Sequence, residues 1–185
     1  MDGVPLTAFE SNKVRALLAY LAVEADLPHS RESLASLLWP DYPQQAAMTY
    51  LRNALADLRL LLGDRQAQTP YLKIIHDLVQ FNGDADCSLD VRNFFVLTSK
   101  PGEIDQLERA VSLYRGEFLE GFTLKDCREF DDWCYFMRER VRNQASAALR
   151  QLADYYETRR DCDHAIITLA GALSWNPGKK PVTAN

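Results

Sequence analysis

Along most of this chain, hydrophobic residues recur at intervals of three and four, the spacing that gathers them on one side of a helix. Val14, Leu17, Leu18 and Leu21 form the first such row, and Ser11 or Asn12 ahead of it offers a side-chain oxygen to cap the helix start. Pro28 in "DLPHS" ends that helix. Ser30 then caps a second, with Glu32 and Ser33 in its first turn, Leu34, Leu37, Leu38 and Trp39 on its apolar side, and Pro40 as its stop. A third helix runs from Pro43, whose fixed φ suits a first helical position, to Leu62, with Gly63 beyond its end. The loose alternation of Val4 to Phe9 predicts a short strand before the first helix. After the third, "YLKIIHD" and "LVQFN" are β-prone runs around Asp77, closed by Asn82-Gly83, and predict a hairpin.

From residue 84 onward the helical period dominates. Leu89 to Thr98 predicts one helix, Ser99-Lys100-Pro101-Gly102 interrupts it, and Ile104, Leu107, Val111 and Tyr114 mark another. "RGEFLEGF" leads into a long amphipathic stretch from Arg128 to Arg159, carried by Phe130, Trp133, Met137, Val141, Ala145, Ala148, Leu152 and Tyr156. Leu149, Leu152, Ala153, Tyr156, Ala165, Leu169, Ala172 and Pro177 fall where a tetratricopeptide repeat places its large, small and terminating residues. An ordinary helical hairpin shares part of that pattern. The expected fold is mostly α in two domains: residues 1–83, a strand, three helices and a hairpin in winged-helix order, and residues 84–185, an all-α tetratricopeptide-like helical repeat.

Composition narrows the functions such a fold can serve. The chain has 185 residues, 47% of them hydrophobic, enough for packed cores. No apolar run approaches the roughly 20 residues of a membrane span, and no basic-then-apolar leader opens the sequence, so a cytoplasmic protein with no membrane contact is expected. The four cysteines, Cys87, Cys127, Cys134 and Cys162, are scattered, as suits a reducing compartment. His29, His76 and His164 are dispersed too, and only Cys162 and His164 stand close, so neither a metal nor another cofactor is expected. No glycine-rich phosphate loop or nucleophile–base pair stands out, which speaks against an enzyme. The net charge is −5, with seven basic and nine acidic residues up to Gly83 and fourteen and seventeen after it. Any nucleic-acid contact must therefore come from a local, shaped element rather than a basic field.

The third helix is the candidate element. At 100° per residue, Ala47, Leu51, Leu55, Leu58 and Leu62 share one side, and Gln45, Thr49, Arg52, Asn53 and Arg59 another, where Leu60 also falls. Arg reads guanine, Asn and Gln read adenine, and Thr touches a methyl group or a phosphate, so Gln45, Thr49, Arg52 and Asn53 are the candidate base contacts. A merely solvated face has the same appearance. Lys13, Ser30, Arg31, Lys73 and Arg59 are the candidate phosphate contacts, on the logic that cations and helix N-termini position a domain on the backbone. Arg59, far along the helix, could instead pair with an acid. Trp39 reads as core, closing the second helix onto the bundle.

"KVRALLAYLAVE", "SRESLASLLWPD", "LRNALADLRLLLGD", "LYRGEFLEGF" and "FDDWCYFMRERVR", in this order and at these separations, resemble the bacterial transcriptional activator domain family, transcriptional regulators related to the antibiotic regulatory proteins. The resemblance spans nearly the whole chain. It implies an N-terminal winged helix, a tetratricopeptide-like activator domain, binding to double-stranded DNA as a transcriptional activator, self-association as a homodimer, and contact with RNA polymerase. Arg52 and Arg59 match the family's "LRxxLxxLR" pattern and Arg31 its "SRE", whereas Met48 and Tyr50 replace residues that are usually polar or basic. The family also carries further strands ahead of "DGVPLTAF" and further helices after "SWNP", so the chain reads as truncated at both ends, with Leu169, Leu173 and Trp175 left partly uncovered. The alternative from a different class is a helical protein-interaction module whose winged helix has lost DNA affinity, favoured by the acidic balance and Met48.

Overall fold

A computed structural model describes residues 9–99, 103–161 and 164. Among them are six helices and one small antiparallel sheet, and the polypeptide divides into two units: Met1–Leu89 with Thr123–Trp133, and Asp90–Phe122 with Cys134–Asn185. The division thus falls six residues past the boundary expected after Gly83, and it returns a short downstream segment to the first unit. The predicted strand at Val4 to Phe9 lies outside the described residues except for Phe9, whose ring sits under the Arg15 guanidinium at 5.1 Å.

In the first unit the punctuation read from the sequence sets the elements. The Ser11 hydroxyl accepts from the Val14 N–H and opens α1 (Asn12–Val23), which buries Val14, Ala16, Leu17, Leu21 and Ala22. Ser30 caps α2 (Arg31–Leu38) through the Ser33 N–H at 3.0 Å, and Trp39 closes it, buried as expected. Pro43 caps α3 (Gln44–Leu61), where a first helical position was expected, and its carbonyl accepts from Ala46 and Ala47. The far end of α3 is a Schellman motif: Gly63, at φ +64°, donates to the Leu60 carbonyl and Asp64 to that of Arg59. Ala47, Leu51, Ala54, Leu55, Leu58 and Leu62 are all buried, so the apolar side found by angle is the side that packs.

The hairpin forms as β2 (Leu72–Ile75) and β3 (Leu78–Phe81), turning through His76, whose φ of +53° suits the first central position of a two-residue loop. A third strand escaped the pattern. β1 (His29–Ser30) lies in the segment read only as a helix break, and it pairs antiparallel with β3, His29 opposite Val79 and Ser30 opposite Leu78, giving the order β1-β3-β2. Two residues are too few for alternation to show; the pairing is fixed from outside the segment, with Arg31 donating to the Asp77 carbonyl and Gln80 to that of Ala25. The returning segment adds Leu124, Cys127 and Phe130 to this unit's core, and Trp133 sets its indole N–H on the Glu24 carboxylate at 2.9 Å and its ring 5.0 Å from that of Tyr20.

The second unit is helical: α4 (Asp90–Thr98), α5 (Ile104–Leu113) and most of α6 (Arg128–Thr158). Phe94, Ala110, Val141 and Ala145 form one buried cluster, and Leu107, Ala148, Leu152 and Tyr156 another. Small alanines at 110, 145 and 148 let the helices approach. Arg138 fixes the connection after α5: its Nε donates to the Phe118 carbonyl at 2.9 Å and a terminal nitrogen to that of Leu119 at 3.0 Å, where the backbone turns left-handed at Leu119 and Gly121. Of the repeat-pattern residues, Leu149, Leu152, Ala153 and Tyr156 stand on α6. Lys100, Pro101 and Gly102 lie outside the described residues, as do Cys162, Ala165, Leu169, Ala172, Leu173, Trp175 and Pro177.

Candidate nucleic-acid interface

The polar side of α3 is exposed over its first three turns. Gln45, Thr49, Arg52 and Asn53 are all open to solvent, and from Gln45 to Asn53 the helix rises about 12 Å, comparable to the width of a DNA major groove. Gln45, Arg52 and Asn53 have no side-chain hydrogen bond or ion pair among the described residues. Thr49 is less available, because its hydroxyl donates to the Gln45 carbonyl at 2.9 Å and keeps only its acceptor capacity. Preceding them, Gln44 donates its amide to the Glu32 carboxylate at 2.6 Å and so locks the start of α3 against α2. Nothing in the spacing of the sequence marks that pair.

The five candidate phosphate contacts separate into different environments. Arg59 Nε meets the Asp64 carboxylate at 2.9 Å, and Asp64 is buried and also accepts from the Tyr71 and Leu72 backbone N–H groups. This cation is therefore part of the joint between α3 and β2, the role that its distance along the helix left open. Lys13 donates to the Leu38 carbonyl at 2.6 Å, its ammonium 5.5 Å from the Trp39 ring centre and 5.7 Å from that of Tyr42, which makes it a clasp between α1 and the end of α2. Burial raises the nearby Cys127 thiol above its ordinary range, an effect that the Lys13 charge opposes. Lys73 pairs with Asp84 at 3.1 Å, both exposed, a weak contact that a phosphate could displace. The Ser30 hydroxyl is engaged with Ser33. Arg31 differs from all of these: its Nε is buried and has no hydrogen-bond partner among the described residues, next to the start of α2.

Beside the polar face runs an open groove of about 580 Å³, bordered by Lys13, Trp39, Tyr42, Tyr50 and Asn53. Tyr42 and Tyr50 meet edge to face at 5.1 Å and remain partly exposed. Tyr50, which departs from the resembled family, thus belongs to an aromatic rim that periodicity could not reveal, since its partners come from the connection between helices. Leu60, farther along the same side, is 83% exposed. Among the described residues no group of three or more His, Cys, Asp or Glu side chains could hold a metal ion, and no helix is long and apolar enough to cross a membrane. In comparisons with known proteins, no family model matches the chain and no curated protein does.

Proposed function

We propose that this chain is a DNA-binding transcriptional regulator, an activator of the bacterial transcriptional activator type, in which the first unit is a winged helix that lays α3 in the major groove. The observation that carries the reading is the row Gln45, Arg52 and Asn53: three side chains suited to base edges, exposed on one side of a helix whose other side is buried, and uncommitted to internal partners. The order of helices and strands supports it, with the β2–β3 hairpin as the wing and β1, between α1 and α2, paired onto it. Arg31 is the foremost phosphate contact in this reading, because it stands in the first turn of α2 with no ion pair among the described residues. The helical second unit, tetratricopeptide-like in this reading, serves homodimer formation or contact with RNA polymerase, and the protein works in the cytoplasm.

Few cations are uncommitted, so backbone contacts contribute little. With two to four phosphates neutralised, the logarithm of affinity should fall with the logarithm of salt at a slope of about −2 to −4. Selection from random duplexes across a salt titration tests the proposal, comparing the native chain with Arg52→Ala and Asn53→Ala. An enriched site that either substitution weakens by about 1–3 kcal/mol supports groove reading by α3. No binding at low salt turns the reading to the second one, a protein-docking module, which the exposed Leu60 at the end of the same face favours.

A further inference from the structure

Arg138 holds the connection after α5 against α6, and beside that connection lies a cavity of about 380 Å³, inside the roughly 300–1,000 Å³ typical of small-molecule sites. Three aromatic side chains line it: Phe94 of α4, buried, and Tyr114 and Phe118, half-buried, from the end of α5 and the connection. The Phe94 and Tyr114 rings are 6.1 Å apart. Three carboxylates line it as well, Asp90 at the start of α4 and Glu117 and Glu120 in the connection, whereas Arg115 is the one cation among the described residues of the lining. A side chain at position 116 would meet a Glu120 carboxylate oxygen at 3.1 Å, so Gly116 leaves the space that this carboxylate occupies. Burial above all lifts the Tyr114 hydroxyl to about 12; the Glu117 charge adds to this, Arg142 opposes it and Glu120 adds again, so the two carboxylates together outweigh the arginine at this phenol.

We propose that this cavity binds a small organic cation of the alkylated ammonium class. Aromatic faces attract a diffuse, weakly hydrated cation, and carboxylates at the border neutralise its charge. The other occupants fit less well. Among the described residues no three acidic side chains converge closely enough to hold a metal ion, so the negative charge here is spread around the cavity rather than focused on one point. An anion meets three carboxylates against one guanidinium. A neutral apolar molecule would take water from the carboxylates and return no interaction for it. Arg138 and Arg142 do not compete for the role of the guest, because the first is engaged with the Phe118 and Leu119 carbonyls and the second with Glu139. Every lining residue belongs to the second unit, so the site is independent of any contact between α3 and DNA.

Tetramethylammonium chloride is the probe, with tert-butyl alcohol as its neutral counterpart of similar shape and potassium chloride as the ionic-strength control, each titrated into the isotope-labelled full-length chain and followed by nuclear magnetic resonance. Tetramethylammonium should shift the amide signals of residues 113–120 saturably, at a midpoint at least about fivefold below that of tert-butyl alcohol. Glu117→Gln, which keeps the shape and removes one charge, should raise that midpoint by about threefold. Phe118→Leu should raise it too, by removing a ring. Glu157→Gln, an exposed carboxylate on α6 outside the lining, should leave it unchanged. Equal midpoints for the cation and the alcohol, shifts reproduced by potassium at the same concentration, or a native midpoint in Glu117→Gln would each overturn the proposal.

Discussion

Asp64 is the residue on which the assignment of Arg59 can be decided. It is 2% exposed, and its carboxylate accepts from three groups: Arg59 Nε at 2.9 Å, the Tyr71 N–H at 2.5 Å and the Leu72 N–H at 3.2 Å. Asp64→Ala removes the acceptor of all three bonds and leaves two N–H groups in buried residues without a partner, at about 1–3 kcal/mol each. Repacking and water entry recover part of this, so a total loss of about 3–5 kcal/mol is expected, a large share of the roughly 5–15 kcal/mol that holds a domain together. Arg59→Ala leaves the two backbone bonds in place. The arginine side chain is 42% exposed, so only about 1 kcal/mol should be lost there. Urea unfolding followed by circular dichroism measures both, with the denaturant slope checked for constancy. The reasoning fails if Asp64→Ala costs less than about 1 kcal/mol. It fails equally if Arg59→Ala leaves stability untouched but weakens binding to a selected duplex as much as Arg52→Ala does.

Three further outcomes are expected. Burial above all, and then the Glu117 charge, push the Tyr114 hydroxyl up to about 12, and donation to the Glu108 carboxylate, followed by burial, does the same for Tyr156. Both folded-state values lie above the ordinary one near 10, so the stability these groups confer is complete below about pH 10 and lost as pH rises through about 12. Tyrosinate absorbance should show a late step near pH 12 that Tyr114→Phe and Tyr156→Phe each reduce. Arg138→Met should free the Phe118 and Leu119 carbonyls and speed amide exchange in residues 116–122, at a cost of about 2–3 kcal/mol, whereas Arg140→Met, beside the Phe95 ring, should cost less than about 1 kcal/mol. Ser30→Ala should lower stability by about 1 kcal/mol through the lost cap, measured by thermal melting, and Ser30→Gly by only a few tenths.

What the sequence disclosed and what it withheld divide along a physical line. Ser11, Ser30 and Gly63 act on backbone groups within a few residues of themselves, and the long rows on α3 and α6 repeat often enough for their period to show; these features could be read directly. β1 is two residues long and exists because β3 lies beside it, so no local pattern could announce it. The candidate site splits in the same way. That Gln45, Arg52 and Asn53 are exposed follows from the angle at which they leave the helix, a local property. Whether a charged side chain is available depends on what the fold brings to it from elsewhere: Leu38 to Lys13 across 25 residues, Asp84 to Lys73 across 11, and to Arg31 Nε no hydrogen-bond partner among the described residues. Residue type and position alone therefore grouped four cations and Ser30 as phosphate contacts that the fold treats differently. A clasp, a joint and a cap need their partners for the unit to hold its shape, whereas Arg31 has no ion pair among the described residues. For this reason the first cation to substitute in a binding experiment is Arg31, not the arginine shared with the most recognisable motif: Arg31→Met should flatten the salt dependence by about one unit of slope, and Arg59→Met should leave the slope unchanged.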